Sequence, residues 1–291
     1  MNPTSSSAIL RLLAPGLFGF TISLAMYGIA LGQYIFYQRA FPNDPKVTKY
    51  FVSFLILLDT LHVYGSSAFE WSIFVPCRHN GSIACFTSLP WQSIMALFIT
   101  FLVPFSVQSF YARRLWTISG NNAILTGTVY LLSAVQLVLG SVLVVFGSLH
   151  VSITFSTPFM LSALICAVAT DIIISGCVYF YLRPGRFGIK RTETRLRHLT
   201  IVSINMGFLT CAVGLMATVF VSKPELGYDV SAAGMIIVKC HINSVLAVLN
   251  ARKPSRPGKQ PDPLSTIQLP SDLSMQLADM STGSQNRVPN T

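Results

Sequence analysis

Four ionisable side chains lie near the middle of long apolar stretches and are the residues best placed to do chemistry: Asp59, His62, Asp171 and Lys239. Ionisable groups are costly in hydrocarbon and by default mark ligand, ion or proton sites. An ammonium group there needs a carboxylate beside it to hold its charge. Lys239 is expected to pair with Asp59 or with Asp171, and the sequence leaves both open. Asp59 and His62 are three residues apart, which puts them on one helix face. At 1.5 Å per residue from the nearest basic flank, Asp59 lies ~15 Å deep, Asp171 ~18 Å and Lys239 ~20 Å, with His62 level with Lys239. Two readings follow. Either these groups line a polar cavity that binds a small ligand, an ion or a proton, or they only fix helix packing through an ion pair and a hydrogen-bonded histidine.

The elements that must position them are legible from composition. Of the 291 residues, 52% are hydrophobic and only 10% charged, against about 25% charged in soluble domains. Seven apolar windows run roughly over 13–38, 48–69, 90–111, 123–147, 159–182, 199–221 and 230–250. Each meets the ~20 residues that a helix needs to cross ~30 Å of hydrocarbon. An open sheet would leave backbone amides unpaired in lipid, so the expected fold is all-α, an integral membrane bundle of seven transmembrane helices. The first window is too long for a signal-peptide core and is expected to stay as helix 1.

The net charge of +10 is distributed as a topology signal rather than as a nucleic-acid surface. Arg39, Lys46 and Lys49, then Arg113 and Arg114, then Arg183, Arg186, Lys190, Arg191, Arg195 and Arg197, and finally Arg252, Lys253, Arg256 and Lys259 fall on one side. The other side has Arg11, Arg78 and Lys223. Cytoplasmic loops collect Lys and Arg, which places the N-terminus outside and the C-terminus in the cytoplasm. Asn80-Gly81-Ser82 is a glycosylation sequon in the loop 70–89, on the side expected to face outward. Cys77 and Cys85 flank it and could close a disulfide in an oxidising compartment. The chain divides into a transmembrane domain, 1–250, and a tail, 251–291, whose Ser, Thr, Pro and Gln content reads as disordered. Gly28 and Gly32 suit close helix packing. Pro104 should kink or loosen its helix.

Familiar chemistries fit poorly. A membrane metal hydrolase needs clustered His and carboxylate ligands, and no HxxxH or HExxH pair is present. A retinal protein needs a carboxylate near Lys239, and the third window has no acid. Receptor-like topology survives, but no acid precedes Arg113-Arg114, and the last window has neither proline nor tyrosine. Nothing points to a cofactor, a metal or an enzymatic activity.

The chain resembles an uncharacterised family of fungal (basidiomycete) seven-helix membrane proteins, a domain of unknown function (DUF6534). The resemblance rests on Phe41-Pro42-Asn43-Asp44, Leu57-Leu58-Asp59-Thr60-Leu61-His62, and Gln108-Ser109-Phe110-Tyr111-Ala112-Arg113-Arg114. It continues in Asp171 and in Asn243-Ser244-Val245-Leu246-Ala247-Val248-Leu249-Asn250-Ala251-Arg252. The family carries an aromatic where this chain has His241. The resemblance implies a fold and a membrane location, and transfers no activity.

The expectation is a multi-pass plasma-membrane protein, reached by the secretory pathway, that is receptor-like or sensory. Its partners would be the lipid bilayer, a small-molecule ligand and a cytoplasmic signalling protein. The alternatives are a transporter or proton-coupled carrier using the same charges, and a structural membrane protein without a ligand.

Overall fold

The computed structural model describes residues 3–75, 90–149, 153–181, 207–219, 221 and 227–252. The described elements are helices, with no strand among them: α1 Pro3–Ala40, α2 Lys46–Phe74, α3 Trp91–Ile118, α4 Ala123–Ser148, α5 Ile153–Tyr181 and α7 Gly227–Asn250. α6, Gly207–Val219, lies between the last two. Six of these are long and apolar enough to cross a membrane, and α6 is apolar but shorter over its described residues. Large hydrophobic side chains such as Phe18, Ile29, Leu131 and Phe208 point outward, as lipid requires and water would not favour. This is a helical integral membrane protein. The expected disulfide of Cys77 and Cys85, the sequon at Asn80, the basic loop 183–198 and the tail after Arg252 lie outside the described residues.

Helices extend past the apolar windows, because backbone hydrogen bonding continues until a residue stops it. α2 runs to Phe74, so Glu70 belongs to a helix and not to the loop expected at 70–89. Arg113 and Arg114 likewise lie within α3 rather than after it. Pro45 and Pro90 occupy the N-cap positions of α2 and α3, where a missing amide costs nothing. Between α3 and α4 the chain turns through Gly120 and Asn121, both left-handed at φ 71° and 67°. Asn tolerates that region better than other side-chain-bearing residues. Asn122 then caps α4, its Oδ1 accepting the Leu125 N–H at 3.1 Å.

Contacts fix the relative direction of the helices; Tyr130–Ser109 with Gly140–Phe101 make α3 and α4 antiparallel, and Phe146–Phe159 with Leu125 near Cys177 do so for α4 and α5. Tyr27–Thr60 and Tyr34–Ser53 make α1 and α2 antiparallel. Phe51–Phe110 and His62–Thr100 do the same for α2 and α3. Gly207 lies against Ser175, and a Cβ on Gly214 would come within 2.7 Å of Val168, so α5 and α6 are antiparallel. Asn243 and Asn250 of α7 donate to the carbonyls of Met26 and Gln33 at 3.2 and 3.0 Å. Both partners advance by seven residues in the same sense, so α1 and α7 are parallel.

α7 is the central element. Within its candidate span 83% of residues are buried, against at most 44% in the other spans. It packs on α1, α3 and α2. The solid core, including Val52, Leu55, Val103, Val107, Leu115, Ile242 and Leu246, fills the half of the bundle toward the α1–α2 loop. Small residues set the tightest crossings: a Cβ on Gly19 would come within 2.5 Å of Ala232 Cβ and 2.6 Å of its Cα. Gly28 and Gly32 do not have the helix-packing role expected of them within the chain. They are exposed on α1, with nothing within 4 Å of a Cβ there.

The α1–α2 loop is latched to the end of α7. Arg252 donates to both oxygens of Asp44, at 3.3 and 2.6 Å, and its guanidinium lies 4.7 Å from the Phe41 ring centroid. Tyr37 donates to the same carboxylate at 2.9 Å, and Lys49 donates to the Pro42 carbonyl. Partial burial alone would raise the Asp44 pKa. The hydrogen bonds from Arg252 and Tyr37, with the charges of Arg252 and Lys49, outweigh it and hold the carboxyl below its usual 3.8.

Two outcomes are expected. Gly19→Val should destabilise the protein by about 1–3 kcal/mol in detergent unfolding, because the clash is with backbone, while Gly28→Val should stay within about 0.5 kcal/mol. Because Asp44 is more acidic when folded, the latch contributes fully above its unfolded pKa and is lost as pH falls through the folded value. Arg252→Gln should therefore cost about 1 kcal/mol at neutral pH, and the difference from wild type should shrink in acid unfolding curves.

Candidate functional site

The four predicted residues separate into two groups. Lys239 and Asp59 form an ion pair, both with fully buried side chains. Lys239 Nζ also lies 3.4 Å from the Asp59 carbonyl and 5.4 Å from the Tyr27 ring centroid. Of the two partners left open by the sequence, the structure places Asp59 beside Lys239. The pair ties α7 to α2 under the cover of α1 and stands apart from the two cavities that Asp171 borders. In hydrocarbon such a pair is preferable to either charge alone.

Asp171 and His62 instead face a cavity of about 320 Å³. Its wall draws on α2, α3, α4, α5, α6 and α7, and it runs from the end of the bundle remote from Asp44 to mid-depth. Most of that wall is apolar: Phe69, Leu97, Phe101, Met160, Leu164, Val168, Met235 and Ile237. Pro104 contributes to it from within α3, which runs as one helix through the proline. The polar residues on it include His62, Thr100, Gln136, Asp171, Thr210 and His241.

The hydrogen bonds of these groups assign their protons. Thr100 donates its hydroxyl to the Ala96 carbonyl at 2.9 Å, so it accepts from His62 Nε2 at 3.3 Å. His62 Nδ1 is then left as an acceptor, buried and without a partner. His241 Nδ1 lies 2.9 Å from the Ile237 carbonyl. A carbonyl only accepts, so Nδ1 carries the hydrogen. Asp171 Oδ1 accepts from Gln108 Nε2 at 3.1 Å. The remaining atoms, His241 Nε2 and Asp171 Oδ2, face each other at 3.5 Å. That distance is within ion-pairing reach, yet His241 Nε2 has no hydrogen bond of proper geometry. A charge-assisted N–H···O bond would close to about 2.8 Å.

Asp171 and His241 also roof a smaller cavity of about 30 Å³, walled by Gln108, Tyr111, Ser175, Thr210 and Ser244 among others. Tyr111 donates to Ser244 at 3.3 Å within it. Among the described residues no cluster of His, Cys, Asp or Glu could hold a metal ion.

Two residues on the cavity wall, His241 and Gln136, are not among those singled out from sequence. The signal for His241 was its spacing: two residues from Lys239 is about 200° around a helix, so the two must face different neighbours. Glu70, only 7% exposed and with Oε1 unpartnered, was missed because it falls beyond the apolar window.

Residues 167–254 match a family of unknown function (DUF6534). The matched stretch holds Asp171, Lys239, His241 and Arg252. No curated protein and no solved structure matches the chain.

If the Asp59–Lys239 pair is a packing element, removing one partner strands the other. Lys239→Met or Asp59→Leu alone should each cost about 3–5 kcal/mol, while the double variant should lie close to wild type. Unfolding of all four proteins in one detergent checks this.

Proposed function

We propose that this membrane protein is a receptor-like sensor that binds a small molecule within its helix bundle. The carrying observation is the cavity of about 320 Å³, at the lower end of the ~300–1,000 Å³ typical of ligand sites and similarly built, mostly apolar with a few convergent polar groups. His62 and Asp171 belong to that site, with His241 and Gln136, and Asp59 and Lys239 support it from behind.

The helices alternate in direction from α1 to α7, which supports seven passes with α6 as the sixth. On that reading the Asp44 end, with its basic flanks, is cytoplasmic, and the cavity faces outward. The fungal plasma-membrane setting, a Cys77–Cys85 disulfide, glycosylation at Asn80, a disordered cytoplasmic tail at 251–291 and a cytoplasmic signalling partner belong to the same proposal. A carrier is the second reading. The small cavity beneath Asp171 and His241, bordered by Gln108, Tyr111 and Ser244, favours it, since it continues the path from the larger cavity toward the Asp44 end.

Gly234 lines the cavity, and a Cβ there would meet only Thr100 Cγ2, at 3.8 Å. Gly234→Leu should therefore fill the site without disturbing the fold. Native mass spectrometry of the purified protein should show a small molecule retained by wild type and lost from Gly234→Leu. Equal retention by both would remove the cavity as the site. A ligand-dependent change in tryptophan fluorescence without flux into liposomes would mark a receptor, and flux would mark a carrier.

A further inference from the structure

We propose that the ligand of this cavity is an apolar molecule bearing one protonated amine, held between Asp171 and His241. The inference rests on the small-molecule reading above and assigns the chemical class.

The polar wall near Asp171 and His62 is mainly acceptors, while Ser93 and the Gln136 amide also carry donors. His62 Nδ1, His241 Nε2 and Gln136 Oε1 are buried without a hydrogen-bond partner. Thr100 and Thr210 donate their hydroxyl hydrogens to their own helix carbonyls, at Ala96 and Gly207, and offer the cavity only lone pairs. Asp171 Oδ2 adds a carboxylate oxygen. Among the described residues no lysine or arginine lines the cavity, and the lysine nearest in sequence to His241 is committed to Asp59. A buried polar group without a partner is costly, and a carboxylate at membrane depth needs a positive charge.

The geometry at the base of the cavity selects the head group. Asp171 Oδ2 and His241 Nε2 lie 3.5 Å apart, with their other polar atoms fixed by Gln108 and the Ile237 carbonyl. A single proton on Nε2 would draw the two together to about 2.8 Å; at 3.5 Å they fit two hydrogens from one centre that also brings a charge. An ammonium supplies both. An alcohol supplies one hydrogen and no charge. A carboxylate supplies no hydrogen and is repelled by Asp171. The aromatic and aliphatic wall above, from Phe69 to Met235, takes an apolar body.

The test is a titration of full-length protein in lipid nanodiscs with decylamine, 1-decanol and decanoic acid, read by native mass spectrometry. Gly234→Leu protein serves as the blank for partition into lipid. Decylamine should bind roughly tenfold tighter or more than 1-decanol, the worth of a hydrogen bond to a charged group, and decanoic acid should bind least. Asp171→Asn should remove the preference for the amine over 1-decanol. Should that variant fail to fold, the ranking in wild type decides by itself. Equal binding of the three probes, blocked by Gly234→Leu, or a preference for the acid, would overturn the amine while the cavity stands. No saturable binding of any probe, or equal binding to wild type and Gly234→Leu, would overturn both.

Discussion

The structure depends on one constraint: α7 is enclosed by protein in a setting without water, so its polar groups must find partners on neighbouring helices. Each that does so fixes a neighbour. Lys239 reaches Asp59 and holds α2. Asn243 and Asn250 reach the carbonyls of Met26 and Gln33 and hold α1 in parallel register. Ser244 accepts from Tyr111 and holds α3. Arg252 closes on Asp44 as the helix ends. Hydrophobicity does not drive helices together in lipid, where the tails are as apolar as Leu. Polar pairing and close packing of small residues therefore set the arrangement.

Some polar atoms of α7 are left unanswered: Asn243 Oδ1, Asn250 Oδ1 and, beside the cavity, His241 Nε2. His241 points to the opposite side from Lys239, toward Asp171, and the two stop at 3.5 Å. The closed pair and the open pair lie on one helix two residues apart, and they do opposite things. Asp59 with Lys239 shuts the bundle on the α1–α2 side. Asp171 with His241 forms the floor of a cavity on the α4–α5–α6 side. The contrast separates support from site: Lys239 and Asp59 hold each other in a buried ion pair, with Asp59 Oδ2 left unpartnered, whereas the unpartnered His62 Nδ1 and His241 Nε2 belong to residues on the cavity wall, where a donor finds partners without displacing any.

The family match covers residues 167–254, and so takes in the floor of the cavity and the helix that organises the rest. It brings no chemistry with it. The function argued for this protein comes from the cavity and from which atoms around it already have hydrogens, not from likeness to a characterised protein.

Much of the fold was legible in the sequence. Long apolar windows and scarce charge dictate helices in a membrane, because only internally bonded backbone is tolerated there. The same windows misjudged helix ends, hiding Glu70 in a supposed loop, because hydropathy marks where lipid lies and not where hydrogen bonding stops. Depth arithmetic put Asp59, Asp171 and Lys239 at similar levels but could not order them around the bundle. Which carboxylate Lys239 takes depends on the rotation of α7 and on the order of the helices about it. Those are settled by packing between residues as far apart in the chain as Gly19 and Ala232. The sequence by itself determined that buried charges would be present and need partners. Only the tertiary structure decided that one pair would close and the other would border an open cavity, because side chains two residues apart on a helix face different neighbours.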